Sequence, residues 1–286
     1  MKPLQRFGLI GFPVKHSFSA AMHNAAFAAA GINARYELWE VPVEQLGMFL
    51  QSLQRQGIAG LNVTIPHKER AVDFLAEPSP EVQQIGAVNT ICVRENGTLA
   101  GFNTDFAGFG RHIKALKARI SRAALIGAGG AAKAVAAALA QAGTSCLAIY
   151  DVQESRRREL AEKINHIYQH TTAYAVDSIA GLDLREKTIL INASPVGMKP
   201  EDPSPIGDEK LPGHLFVYDL IYNPAETPLL RQAKACGCGF ANGLMMLLYQ
   251  GMGAFEHWVK EPAPEAVMRE ALEGELEKCQ GPLSRP

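Results

Sequence analysis

The sequence predicts an α/β fold in two parts: an open sheet of mixed character, then a doubly wound sheet, with closing helices that return to the first part. Three observations predict it. Short β-type runs alternate with helical patterns up to about residue 105, four more strand-like runs with helices between them follow, and a glycine-rich turn opens that second series. With 286 residues, 47% hydrophobic and 20% charged, the chain is long enough to bury two cores.

In the first part, strands are expected at 7–10, 35–41, 60–63 and 88–93, where apolar side chains alternate or run together. Helices are expected at 20–30, 43–56 and 66–75; before the last, Thr64 suits a cap and Pro66 a first helical position. Helices after Asp105 and after Leu116 lead into strands at 123–126, 146–150, 188–191 and 216–219, with helices between them. The Pro-rich stretch 195–212 reads as a surface loop. An apolar helix at 244–258 follows Asn242-Gly243, and a polar amphipathic helix at 264–278 comes after it. The expected domains are 1–105, 106–241 and the helical segment 242–286.

The balance of 28 basic against 29 acidic side chains gives no electrostatic reason to invoke nucleic acid or an anionic membrane. No apolar stretch reaches the roughly 20 residues that span a bilayer, and the N-terminal segment lacks a signal-peptide pattern, so a cytoplasmic protein acting on small molecules is expected. The five cysteines have neither zinc-site spacing nor the density of a disulfide scaffold. Cys236 and Cys238 read as structural thiols rather than a redox or metal pair, and no metal is expected.

The turn Gly127-Ala128-Gly129-Gly130-Ala131-Ala132 follows a buried-strand run and opens an Ala-rich helix. Gly127 permits the tight turn, Gly129 lets the backbone approach a pyrophosphate, and Ala132 keeps helix and strand close, which makes the second part a Rossmann-type dinucleotide-binding domain. Asp151 ends the next strand, near the roughly 20-residue offset at which an acidic residue meets a ribose. A purely structural strand-helix turn is the plainer alternative.

Lys68 falls in the first turn of the expected helix, where the dipole disfavours a cation, so a merely solvating lysine would do better elsewhere. With Asp105 it makes a candidate proton-transfer pair ahead of the nucleotide loop, as in hydride transfer coupled to proton transfer. Against this stand an exposed surface lysine and, for Asn103-Thr104-Asp105, a helix cap. Ser17 and Ser19 enter the first helix with nearby backbone N–H groups, an arrangement suited to an anion or, more plainly, to an N-cap. His16 and His23 read as hydrogen-bonded helix residues.

The clusters His16 to Ser19, Asn62 to Lys68, Gly86 to Thr90, Asn103 to Asp105, Gly127 to Ala132, Asn192 to Met198 and Gly243 to Gln250 occur in the order found in the shikimate/quinate dehydrogenase family, which the chain resembles over nearly its whole length. The resemblance implies reversible reduction of 3-dehydroshikimate to shikimate with a nicotinamide cofactor, on the pathway to aromatic amino acids. It implies Lys68 and Asp105 as the catalytic pair, with Lys68 the principal acid/base group. Ser17 and Ser19 would hold the substrate carboxylate, and Thr64, Asn89, Tyr222 and Gln250 the ring and its hydroxyls. Cofactor contacts would be Gly127, Ala128, Gly129, Gly130, Ala131 and Asp151, with Leu220 and Gly243 near the nicotinamide.

Where many members that use the phosphorylated cofactor read Asn-Arg-Thr, this chain reads Asp151-Val152-Gln153. A carboxylate at that place suits the ribose hydroxyls of NAD and repels a 2′-phosphate, so NAD is expected to be preferred and NADP weaker, unless Arg156, Arg157 and Arg158 compensate. Ala20 stands where the family commonly has proline. The alternatives are a quinate/shikimate dehydrogenase of broader range, a folate-linked dehydrogenase, and a cofactor-binding regulator of the same fold without catalysis. Monomer and homodimer both remain open.

Overall fold

The computed structural model describes residues 4–280. Two compact units divide the chain: one holds the residues up to Gly108 together with those from Leu247, the other is Phe109–Met246.

The first unit is built on β1 (Gln5–Gly11), α1 (Ser19–Ala29), β2 (Ala34–Glu40), α2 (Leu46–Ser52), β3 (Ile58–Val63), β4 (Glu77–Pro78), α3 (Pro80–Ile85), β5 (Thr90–Val93), β6 (Leu99–Phe102) and the start of α4 (Thr104–Leu116). Its sheet runs β2-β1-β3-β5-β6-β4. Strands β1, β2 and β3 are parallel, whereas β3, β5 and β6 pair antiparallel, which gives the expected mixed character. One apolar cluster gathers Ile10, Leu46, Leu50, Leu61, Val82 and Ile91. An aromatic cluster joins Phe7, Phe27, His23, Tyr36 and Trp258.

Trp258 belongs to α8 (Leu244–Val259), and α9 (Glu265–Gln280) packs on α1, so the closing helices return to the first unit. Gly60 is what lets α8 approach: a Cβ there would collide with the Trp258 indole, whose N–H donates to the Ile91 carbonyl at 3.0 Å.

The second unit follows α4 with β7 (Arg122–Ile126), α5 (Gly130–Gln141), β8 (Cys146–Tyr150), α6 (Glu154–Ile167), β9 (Thr172–Ala175), β10 (Ile189–Asn192), β11 (Phe216–Asp219), α7 (Pro228–Ala235) and β12 (Gly239–Ala241). All its strand pairs are parallel, in the order β12-β11-β10-β7-β8-β9. Strands buried on both faces explain the continuous apolar runs at β7, β8 and β10. The 195–212 stretch holds no helix or strand, yet Ile206 and Leu211 anchor it to the core of this unit.

Several expectations need correction. The 43–56 helix shortens to a 3-10 turn at Val43–Gln45 and α2. The 66–75 helix is absent as such: only a 3-10 helix at Arg70–Phe74 forms, and Lys68 lies in the turn before it. The Lys68 carbonyl accepts the Val88 N–H at 2.8 Å, a tertiary partner in place of the next helical turn. No helix follows Leu116, because Lys117 takes a left-handed conformation (φ 52°) that ends α4. Among the described residues, no helix is long and apolar enough to cross a membrane.

Candidate active site

In the first unit, the loops after β1 and β3 leave the same end of the parallel pair, the carboxyl ends where open α/β sheets place ligands. Gly11 has no side chain for a reason: a Cβ would collide with the Thr64 methyl group, so the two loops touch. Thr64 N–H donates to the Ile10 carbonyl at 2.9 Å and leaves the threonine half-buried. Ser17 and Ser19 stand with their hydroxyls 3.2 Å apart, Ser19 buried and Ser17 half-buried. The cap position of α1 is Phe18, which offers no side-chain cap, so neither serine serves as the N-cap.

Asp105 lies in the first turn of α4, where the helix dipole favours a carboxylate. The capping is done by Asn103, whose Oδ1 accepts the Phe106 N–H at 3.1 Å, and this frees Asp105 for another partner. That partner is Lys68, with Nζ 2.5 Å from Oδ2. Only 12% of the lysine side chain and 7% of the aspartate remain exposed, so the surface-lysine alternative fails. His67 sits beneath the turn, fully buried, its Nε2 donating to the Val41 carbonyl at 2.6 Å. Burial holds its pKa below the usual histidine range, which favours the neutral ring.

Asn89 is the hub of the rest. Its Oδ1 accepts the Thr104 N–H at 2.7 Å, and its Nδ2 donates to Gln250 Oε1 at 3.3 Å. Gly108 lets α8 bring Gln250 this close, since a Cβ there would stand 2.8 Å from the Gln250 backbone nitrogen. Asn62 donates to the Asn89 carbonyl and to Thr90, and receives the Tyr36 hydroxyl at 2.8 Å. Sequence reasoning assigned no part in this network to Asn62 or Tyr36, and read Asn103 and Thr104 only as a helix cap. The available signal was an asparagine inside an apolar strand, which is buried only when bonded.

The structure therefore brings Ser17, Ser19, Thr64, Lys68, Asn89, Asp105 and Gln250 into one unit. Tyr222 belongs to the other unit, in the segment after β11.

In the second unit, the turn after β7 meets the loop after β10, where the strand order reverses. Gly127 has φ 106°, and a Cβ there would press on the Ala193 carbonyl oxygen at 2.8 Å. Gly129 is the N-cap of α5; it supplies no side-chain cap, its Cβ position faces open space, and no acidic residue stands in the first turn with Gly130 and Ala131. A helix start without a side-chain cap or an acidic residue, with open space beside Gly129, fits a dinucleotide phosphate. Gly243 packs so closely on Leu220 that a Cβ would collide with its carbonyl oxygen, and Gly243 N–H donates to the Ile221 carbonyl at 3.2 Å.

Asp151 accepts the Ala128 N–H on Oδ2 and the Gln153 N–H on Oδ1, both at 2.8 Å. Of the three arginines beyond it, Arg157 is buried and bonds Asp177 and the Asp151 carbonyl, and Arg158 pairs with Glu154. Arg156 is exposed at the start of α6. Cys238 is buried and Cys236 exposed, each as a free thiol, and among the described residues no cluster of His, Cys, Asp or Glu is placed to hold a metal.

Residues 9–91 match the family described as the shikimate dehydrogenase substrate binding domain, and residues 243–273 the one described as the shikimate 5'-dehydrogenase C-terminal domain. A protein of Symbiobacterium thermophilum named shikimate dehydrogenase (NADP(+)) is 41% identical, over 96% of both chains. The chain belongs to the shikimate dehydrogenase family. Among solved structures of the family, the Thermus thermophilus shikimate 5-dehydrogenase in complex with NADP(H) and shikimate is 39% identical, with a TM-score of 0.84 over 95% of this chain and all of that one. A quinate dehydrogenase from Corynebacterium glutamicum in complex with NAD is 32% identical, with a TM-score of 0.86 over the same shares.

These family members correct the cofactor expectation. The two more similar ones are named for, or bound to, NADP, which overturns NAD as the main cofactor. The structure supplies a reason: both Asp151 oxygens already receive backbone N–H groups, so the carboxylate is committed to holding the glycine turn.

Proposed function

We propose that this chain catalyses the reversible reduction of 3-dehydroshikimate to shikimate with NADP, and that Lys68 and Asp105 move the proton. The observation that carries the reading is the nearly buried Lys68–Asp105 pair, held in the same unit as the two serine hydroxyls and the Asn89–Gln250 bond. Ser17 and Ser19 donate to the substrate carboxylate, and Thr64, Asn89 and Gln250 bind the ring hydroxyls. In the reductive direction the Lys68 ammonium gives its proton to the oxygen of the keto group; in the oxidative direction the amine takes the proton from the hydroxyl. Asp105 orients Lys68 and compensates its charge when protonated.

NADP, when bound, supplies or receives the hydride. Gly127 and Ala128 make the turn, the N–H groups of Gly129, Gly130 and Ala131 at the start of α5 hold its pyrophosphate, and Leu220 and Gly243 pack beside the nicotinamide. Arg156 receives the 2′-phosphate, being the arginine of its run that is exposed and outside the ion pairs formed by Arg157 and Arg158.

The likeness to a quinate dehydrogenase supports a second reading, a broader enzyme that also oxidises quinate. Steady-state turnover of shikimate and quinate, each with NADP and NAD, decides between them. The expected result is the highest kcat/KM for shikimate with NADP. Quinate turned over as well as shikimate supports the second reading, and no turnover of either substrate refutes both.

A further inference from the structure

Asp219 ends β11 fully buried, and the reading above gives it no part. Its Oδ1 accepts Asn192 Nδ2 at 3.0 Å and the Ile221 N–H at 3.1 Å, and its Oδ2 accepts the Thr227 hydroxyl at 2.7 Å. Each donor belongs to a different piece of this edge: Asn192 ends β10, Ile221 opens the segment after β11, and Thr227 caps α7 by accepting the Leu230 N–H.

The bonds run on from there. Asn192 donates to the Val196 carbonyl at 3.2 Å and accepts both the N–H and the hydroxyl of Ser194, which fixes the loop after β10. The Asn192 carbonyl accepts the Leu220 N–H at 2.9 Å, and the Ile221 carbonyl accepts the Gly243 N–H. One carboxylate thus ties together the segments that carry Leu220, Tyr222 and Gly243.

Burial is an expensive place for that group and pushes its carboxyl up to about 6, against the three hydrogen bonds that draw it down. An apolar side chain would fill the same volume without that cost. An isosteric amide has only one acceptor oxygen for three donors and turns an NH2 toward at least one of them.

We propose that Asp219 is a positioning residue for the nicotinamide half of the bound dinucleotide, acting through Leu220, Ile221 and Gly243. The inference rests on the reading that Leu220 and Gly243 face the nicotinamide. The adenosine half is assigned to Arg156 at the start of α6, which makes none of these bonds, so the two halves respond separately.

The test uses the full chain and calorimetric binding of NADP and of 2′,5′-ADP, which carries only the adenosine half, together with the shikimate KM. Asp219→Asn is expected to weaken NADP roughly tenfold or more while 2′,5′-ADP affinity and the shikimate KM change less than about twofold. Thr227→Val should do the same and Thr227→Ser should restore binding; this pair decides alone if Asp219→Asn does not fold. Equal loss of both nucleotides indicates a damaged sheet and overturns the proposal, as does unchanged NADP binding. Gly243→Ala separates the two levels of inference. If it weakens NADP while Asp219→Asn and Thr227→Val do not, the cofactor reading stands and the positioning role falls; if Gly243→Ala leaves NADP binding unchanged, the nicotinamide assignment fails and takes the positioning role with it.

Discussion

Lys68 is held by its carbonyl as much as by its ammonium. Val88 fixes the backbone, Asp105 the side chain, and the buried His67 beneath them fixes the turn. On the proposed mechanism, removing the lysine takes away the proton carrier without removing the serine pair or the Asn89 hub. Lys68→Ala is therefore expected to lower kcat by at least ~10² with little change in shikimate KM. Asp105→Asn should affect both constants, because a lysine left without its partner in a nearly closed site both binds and reacts differently. Near-normal turnover by Lys68→Ala in a steady-state assay sinks the assignment. At the other ligand, Arg156→Ala should lower kcat/KM for NADP by roughly tenfold and leave the NAD value nearly unchanged, since only the 2′-phosphate is at stake. Equal losses with both cofactors would place the phosphate contact elsewhere.

Elements that announce themselves locally were legible. The turn from β7 into α5 needs Gly127 for its φ and a small-residue helix behind it, and both requirements stand side by side in sequence. The α4 start was legible as a cap, though not which residue capped: Asn103 does so, and Asp105 is released to Lys68. Asn103→Ala should consequently cost about 1 kcal/mol of stability and also lower activity by shifting the first turn that carries Asp105. Chemical denaturation alongside kinetics checks this, and a stability loss with unchanged kcat would separate cap from site. What sequence could not give were elements decided by distant partners. The segment around Lys68 has helical spacing, yet Val88 takes its carbonyl. Strands β9 and β12, four and three residues long, exist only as edges added to a sheet already formed. The link between Asn89 and Gln250 spans most of the chain; the family resemblance put both on one ring, but their bond to each other, with a glycine at 108 making room for it, had no local signal.

For the molecule as a whole, buried histidines set the response to acid. His23 is fully buried against Tyr36; its ring nitrogens have no hydrogen-bond partner among the described residues, and burial lowers its pKa to about 3. The unfolded chain takes up that proton near pH 6.5 and the folded one only near 3, so stability is fully present above pH ~6.5 and is lost as pH falls, by roughly 1.4 kcal/mol per pH unit. Burial lowers His67 and His257 in the same direction. Asp219 has the opposite sign: its raised pKa adds stability that is fully present below about pH 3.8 and lost as pH rises through about 6, which offsets part of the histidine loss in between. Comparing His23→Phe with the native chain isolates one contribution. Between pH 7 and pH 5 the native protein should lose roughly 2 kcal/mol more than the variant in denaturant titrations. Identical losses would mean that the ring is protonated in the folded state.

Both crossings between the units fall inside helices, α4 and α8, and α9 packs on α1. On a ribosome this fixes an order of completion opposite to the order of synthesis. Once residue 246 has left the exit tunnel, the parallel sheet has every strand it needs. The sheet begun at residue 5 must wait for α8 and α9 to cover its aromatic face and to bring Gln250 to Asn89. A nascent chain that folds domain by domain therefore finishes its nucleotide half first. Until α8 and α9 have emerged, it carries a first half whose aromatic face is still open to chaperones and proteases.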